Sequence, residues 1–346
     1  MTDDATTSQL IEWGNDRITL RLAVDSDGRV ALVALRPTDV DVADVPLDMA
    51  LGPVEVQLAG DQFPQGARHV DLGGTAQLRY RSHGVRESPG GSSLTLVQWH
   101  ESRQARVETT WTSYDGIPVL RCQSSITNES AVPVVVEHIS SFTLSGASAF
   151  GDGEWASATS VVVPHNTFFG EYQWVRQSLP SEGIYDVGFE AGGEHSTRKK
   201  IGVSSIGTQP TTQYLPMGAV QNDSLGVSWC WQIEHNGSWQ WELGDFRTAL
   251  YVTGSGPTDQ EHHWSTTLQS GETFVAAPAS IASVPAAVTD TFAPLTAYRR
   301  RIRRPNLDNV ELPVVFNDYM NALVAEPTED KLMPVIAAAA AAGAEV

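Results

Sequence analysis

From residue 10 to about residue 290 the chain alternates apolar and polar positions with a period of two. "RITLRLAV" places Ile18, Leu20, Leu22 and Val24 on one face, and "ARVETTWTS" alternates likewise around Val107 and Trp111. A period of two predicts half-buried strands, because successive side chains of a strand point to opposite faces. Turn-forming clusters separate these runs: "DSDG" (Asp25 to Gly28), "ESPGG" (Glu87 to Gly91), "YDG" (Tyr114 to Gly116), "TNES" (Thr127 to Ser130) and "GSGP" (Gly254 to Pro257). Many strands with little helical periodicity predict a mainly β fold, a large antiparallel sandwich.

The strongest hairpin signal is "VSWCWQIEHNGSWQWEL", where Asn236-Gly237 offers the positive φ angles of a tight reversal. Trp229, Trp231 and Ile233 share one face of the first strand, and Trp239, Trp241 and Leu243 share one face of the second. Such an aromatic ladder serves either as a sugar-stacking platform or as cross-strand core, and core packing is the expectation.

From Pro305 the pattern changes. "PVVF" (Pro313 to Phe316) is apolar on successive residues, as a strand covered on both faces must be. Thr328 then stands at a helix N-cap with Glu329 and Asp330 in the first turn, where carboxylates oppose the positive end of the helix dipole. Leu332, Val335, Ile336 and Ala339 form the apolar stripe, Pro334 disturbs the start, and Gly343 is suited to stop the helix. "AEV" would open the next strand. Strand, connection, helix and strand make one unit of a parallel sheet or barrel. The expected division is 1–290 sandwich, 291–312 linker and 313–346 first βα unit.

Charge narrows the partners. The 346 residues carry a formal net charge of -19, with 41 acidic side chains against 22 Lys and Arg, which argues against nucleic acid or an anionic membrane surface. The one basic cluster, "YRRRIRR" (Tyr298 to Arg304), reads as a connecting segment whose arginines pair with acidic surroundings. Cys122 and Cys230 lie far apart inside strand-like runs and are expected as two buried thiols. No basic and apolar leader opens the sequence, so the acceptor patterns at Asn128, Asn222 and Asn236 are given no weight, and a cytoplasmic location is expected. No apolar run reaches the roughly 20 residues of a spanning helix.

Other constellations are weak. In "EHHW" (Glu261 to Trp264) adjacent histidines on a strand would point to opposite faces, so with His138 and His235 they do not predict a metal site. "PHN" (Pro164 to Asn166) lacks the surroundings of a hydrolase triad, and no glycine-rich phosphate loop opens a helix. Neither a metal nor a cofactor is expected.

Several separate segments in order resemble a known family. "VPHNTFFGEYQW", "QYLPMGAVQ", "WQIEHNGSWQWE", "RRRIRRPN", "LPVVFNDYMNAL" and "PTEDKLMPVIAAAAAAGAEV" are similar to the family 36 glycoside hydrolases, the α-galactosidases, from about Leu51 to Val346. The resemblance implies a β-supersandwich, then a (β/α)8 catalytic barrel and a small C-terminal β domain, with this chain holding the sandwich and the truncated start of the barrel. It implies a retaining mechanism in which two aspartates sit about 5 to 5.5 Å apart, one ionised and one neutral. The Lys-Trp-Asp sequence that the resemblance implies around the attacking aspartate does not occur here, so no catalytic residue is assigned and the chain is expected to be inactive alone.

The resemblance also implies that Asn317, Asp318 and Tyr319 line the galactose pocket, with Tyr319 where many members carry Trp. A smaller aromatic face remains for stacking. Asn321 is expected to be structural. The implied ligands are α-galactoside oligosaccharides, and the implied parent is a homo-oligomer. Two alternatives stay open: a stand-alone carbohydrate-binding or interaction sandwich, and a galactosyltransferase of the same family.

Overall fold

The computed structural model describes residues 7–147, 155–187, 196–247, 249–319, 323 and 326–346. These divide into two compact units, Met1–Tyr298 and Arg299–Val346. The first unit opens with β1 (Thr7–Gly14), β2 (Ile18–Asp25), β3 (Val30–Pro37) and β4 (Val56–Leu58). Long strands follow: β5 (Leu78–Ser88), β6 (Gly91–His100), β7 (Ala105–Tyr114) and β8 (Ile117–Asn128). Next come β9 (Val134–Ile139), β10 (Phe142–Ser145), β11 (Thr159–Thr167), β12 (Gly170–Ser178) and β13 (Lys200–Ser205). The last are β14 (Met217–Asn222), β15 (Val227–Ile233), β16 (Trp239–Phe246), β17 (Ala249–Ser255), β18 (Thr266–Leu268), β19 (Thr273–Val275) and β20 (Ala279–Val284). Four α-helices and three short 3-10 turns complete the described residues, the α-helices being α1 (Asp259–His262), α2 (Phe292–Ile302), α3 (Asp308–Glu311) and α4 (Glu329–Ala341).

The strands form a mainly β, antiparallel sandwich. A ten-stranded sheet runs β12-β11-β14-β15-β20-β8-β7-β6-β5, with β19 added on β8. Three smaller sheets accompany it: β1-β2-β3, β10-β17-β16-β13 and β18-β9-β4. The tight turns "DSDG", "ESPGG" and "YDG" connect β2 to β3, β5 to β6 and β7 to β8, with Gly28, Gly90 and Gly116 at positive φ. Ile18, Leu20, Leu22 and Val24 are all buried, and they share one core with residues of the ten-stranded sheet such as Leu94, Trp111 and Leu120. Cys122 and Cys230 are buried and are not joined in a disulfide.

The tryptophan-rich segment departs from expectation. β15 and β16 do not pair with each other. β15 pairs with β14 and β20 in the ten-stranded sheet, while β16 pairs with β13 and β17 in the four-stranded sheet. Gly237 lies outside the left-handed region, so the Asn-Gly hairpin geometry is not used. The reason is burial. Every residue of β15 and of β16 is buried, and placing the strands in facing sheets lets both aromatic faces meet across the gap. Trp231 meets Trp241 edge to face with ring centroids 5.1 Å apart at 78°. Trp229 and Trp239 donate their indole N–H groups to the carbonyls of Leu35 and Pro210, each at 2.7 Å. Gly218 and Gly254 leave room for these rings: a Cβ at Gly218 would stand 2.5 Å from Trp231 Cζ2, and one at Gly254 would stand 2.7 Å from Phe142 Cε1.

Two further segments differ from their sequence patterns. "EHHW" is not a strand: residues 259–262 form α1, with the Thr258 hydroxyl accepting from Glu261 N at 3.1 Å. Within the span expected as a linker, Phe292–Ile302 form α2, and Leu295 and Tyr298 are wholly buried with Val119, Val162 and Cys230.

In the second unit α4 starts directly after Thr328, whose backbone is extended, and Gly343 takes a φ of 93° just past its end. The "PVVF" segment is not covered on both faces. Val314 is 57% and Val315 65% exposed, because within this unit it meets a single partner segment, 344–346. Phe316 N donates to Val346 O at 2.9 Å, and Val346 N donates to Val314 O at 3.3 Å, which is the pattern of a parallel pair.

Because the rings across the gap are fixed from both sheets, Trp241→Ala should cost about 3–5 kcal/mol. Gly218→Ala should cost about 1–3 kcal/mol by overpacking. Urea denaturation measures both; near-neutral values would mean that the gap is loosely filled.

Candidate functional site

Asn317, Asp318 and Tyr319 follow the 314–316 segment at its C-terminal end, the end from which parallel strands of α/β enzymes present functional groups. Asn317 Oδ1 accepts from Tyr319 N at 2.9 Å, a local turn of the kind asparagine favours. The carbonyl of Asp318 accepts from Leu323 N at 3.3 Å. Tyr319 is 62% exposed, so its ring face is open to a ligand. The three residues thus sit side by side on one turn. Asn321 lies outside the described residues.

The tryptophan ladder offers no such face. Trp231, Trp239 and Trp241 have no exposed surface and Trp229 has 3%, so the sugar-platform alternative does not hold for them.

A second constellation was not visible in the sequence pattern. On β16, Trp239, Trp241 and Leu243 point into the gap, and Glu242 therefore points to the opposite face of its sheet. There its carboxylate accepts from His69 N at 2.8 Å, Tyr251 Oη at 3.0 Å and Lys200 Nζ at 2.9 Å, and it contacts His69 Nδ1 at 3.1 Å. Glu55, just before β4, accepts from Asp71 N at 3.1 Å, Leu72 N at 3.2 Å and Thr75 Oγ1 at 2.7 Å. Arg68 adds a bond from Nη1 to the carbonyl of Asp245 at 2.7 Å. Residues 68–75 are thereby held by two glutamates from different sheets.

The electrostatics of the two acids diverge. Burial pushes the Glu55 carboxyl up to about 8, and the hydrogen bonds from Thr75, Leu72 and Asp71 only partly oppose it. Burial also acts upward on Glu242, but the hydrogen bond and charge of His69, together with Lys200, outweigh it and hold the group at about 2. His138, whose ring lies 4.8 Å from that of His69, is kept neutral by burial and by that neighbour. None of Glu55, His69 or Glu242 is more than 1% exposed, so the cluster fixes backbone and does not meet a substrate. Its sequence signal is an acid inside an apolar run, "PVEVQL" and "WQWELG", with partners up to 173 positions away. Among the described residues no group of three His, Cys, Asp or Glu side chains is arranged to hold a metal ion, and no helix is long and apolar enough to cross a membrane.

The fold so described is a large antiparallel β-sandwich, followed along the chain by a βα segment. The chain has the fold of the N-terminal half of the family 36 α-galactosidases. A variant of the AgaA enzyme of Geobacillus stearothermophilus in complex with raffinose matches 98% of this chain and 49% of its own, with a TM-score of 0.73 and 13% identity. AgaB of the same organism matches over 99% and 49%, with a TM-score of 0.73 and 13% identity. The α-galactosidase of Lactobacillus brevis matches over 100% and 48%, with a TM-score of 0.70 and 12% identity. The chain spans about half the length of these structures. No protein-family model and no curated protein matches it.

The two glutamates should give opposite pH dependences. Glu55 titrates above its ordinary value of 4.5, so its contribution is complete below pH 4.5 and is lost as pH rises toward about 8. Glu242 titrates below 4.5, so its contribution is present above pH 4.5 and is lost as pH falls toward about 2. In thermal unfolding across pH, Glu55→Gln should flatten the decline on the neutral side. Glu242→Gln should cost about 3–5 kcal/mol at neutral pH by removing the buried negative charge that pairs with Lys200 and His69. Unchanged profiles in both variants would contradict the arrangement.

Proposed function

We propose that the chain is the N-terminal part of an α-galactosidase-like retaining glycoside hydrolase acting on terminal α-galactosides of the melibiose and raffinose type. The observation that supports this reading is the match of nearly the whole chain to about half the length of such enzymes. Raffinose bound in one of those structures motivates the choice of substrate.

In this reading the chain contributes binding and orientation. Tyr319 stacks its exposed ring on the apolar face of the galactose, and Asn317 and Asp318 offer hydrogen bonds to its hydroxyls. Asn317 Oδ1 is already engaged with Tyr319 N, so its amide N–H groups are the ones available to the sugar. Bond cleavage with retention needs one carboxylate to attack the anomeric carbon and a second, about 5 to 5.5 Å away, to give and then take a proton. Glu55 and Glu242 cannot fill those roles from sealed positions, so the chain alone binds galactoside without turning it over.

Incubation of the purified chain with p-nitrophenyl α-galactoside should release no p-nitrophenol above the blank. Calorimetry with melibiose should show weak binding that falls about tenfold in Tyr319→Ala. Sustained release, abolished by a galactose-mimicking inhibitor, would overturn the division of roles; affinity unchanged in Tyr319→Ala would remove Tyr319 from the site.

A further inference from the structure

The outer face of the ten-stranded sheet, opposite the main core, is covered near β11 and β14 by the segment leading into α2. Val162 and Ala219 pack there against Val288, Leu295 and Tyr298. Register places Arg176 on the same face as these residues, opposite Val162, and Trp174 two positions before it, opposite Pro164. β12 is the edge strand, and the cover reaches it at Trp174, which packs on Phe292 at the start of α2. An open groove of about 330 Å³ remains, lined by Val162, Trp174, Arg176, Gln221, Val288 and Phe292. Its volume is at the lower end of what small-ligand sites occupy.

One wall of the groove is aromatic. Trp174 and Phe292 meet edge to face with ring centroids 4.9 Å apart, which fixes the half-buried indole in orientation. On the other side the lining residues Arg176 and Gln221 are ordered by Asp223, which stands beside the groove. Arg176 Nη2 donates to both oxygens of Asp223, at 3.1 and 2.8 Å, and Arg176 Nε donates to Ser160 Oγ at 2.7 Å. Gln221 Nε2 donates to Asp223 Oδ1 at 2.6 Å, while Gln221 Oε1 accepts from Val288 N at 3.1 Å. The Arg176 and Asp223 side chains remain 48% and 59% exposed, a setting in which an ion pair contributes little to stability.

A rigid indole beside a preoriented carboxylate and guanidinium is suited to one ligand chemistry. The C–H face of a pyranose stacks on an aromatic ring. Its vicinal hydroxyls donate to a carboxylate and accept from a guanidinium. Asp223 keeps lone pairs beyond those used by Arg176 and Gln221. Arg176 Nη1 and Trp174 Nε1 donate to none of the described residues and are free to serve a hydroxyl. Anionic ligands are disfavoured, because Asp223 already neutralises Arg176 and the chain carries a net charge of -19.

We propose that this groove is a non-catalytic binding subsite for a neutral pyranose unit of an oligosaccharide, held by Trp174, Arg176 and Asp223. It stands independently of the enzymatic reading, since none of these residues belongs to the turn at Asn317 to Tyr319. The test is calorimetry and indole-region NMR of the whole chain titrated with raffinose, melibiose, lactose and maltose.

At least one of these sugars should bind saturably at millimolar concentration and shift the Trp174 Nε1–H resonance. Trp174→Ala should weaken that binding at least about tenfold, and Asp223→Asn at least about fivefold. Tyr319→Ala should leave the Trp174 shift unchanged. Asp223→Asn alters only an exposed ion pair and the hydrogen bond from Gln221, so it keeps the test decisive where Trp174→Ala reduces folding. Absence of any Trp174 shift with all four sugars, or shifts that persist at unchanged affinity in Asp223→Asn, would overturn the proposal.

Discussion

The filling of the gap between the four-stranded and ten-stranded sheets governs the positions of most other groups in the sandwich. Facing sheets stand about 10 Å apart, a distance that aromatic rings bridge only when the opposing positions are small. Trp231 and Trp241 meet there edge to face, and Gly218, paired with Trp231 in its sheet, leaves the space that both rings approach. Strand parity does the rest. With Trp241 and Leu243 facing the gap, Glu242 must face the other way, toward Lys200, Tyr251 and His69. A slip of one residue would put a carboxylate among tryptophans and send an indole outward. The aromatic contact and the buried ionic cluster are therefore two consequences of one register.

Much of this architecture was legible in the sequence because its causes are local. Period-two alternation marked β2 and β7, and short turn clusters marked the hairpins at Gly28, Gly90 and Gly116. Thr328 and Gly343 marked the ends of α4 for the same reason. The choice of strand partner was not legible. A reversal between β15 and β16 carries the same turn residues whether the chain folds back within one sheet or crosses to the facing one. What decides is the burial of both strands on both faces, which depends on β13, β14, β17 and β20. The "PVVF" pattern likewise implied two covering layers, and Val314 and Val315 lack them within their unit.

The candidate sites divide along the same line. Asn317 to Tyr319 were legible because resemblance to a family attaches roles to a short contiguous motif. The groove at Trp174 was not, since Trp174, Gln221, Asp223 and Phe292 come from separate segments and only sheet register brings them together. Trp174 is an ordinary alternating residue in the sequence. Its distinction is to lie on an edge strand where the start of α2 packs on the indole and leaves a groove beside it.

The retention of two buried glutamates needs an explanation beyond ion pairing, because a buried pair often contributes no more than a well-packed apolar substitute. Here the carboxylates accept from backbone as well as side chains: His69 N binds Glu242, while Asp71 N and Leu72 N bind Glu55. Residues 68–74 form no strand, so these amides have no ladder in which to be satisfied. Leucine at either position would recover the desolvation cost of the acid and leave buried N–H groups without an acceptor, each costing about 1–3 kcal/mol. The glutamates thus act as a substitute strand edge, supplying acceptors where the chain is irregular, and their unlike protonation follows from which one also has a cationic neighbour. His69 Nδ1 and Lys200 Nζ reach Glu242 at 3.1 and 2.9 Å, and the three groups that donate to Glu55 are all neutral.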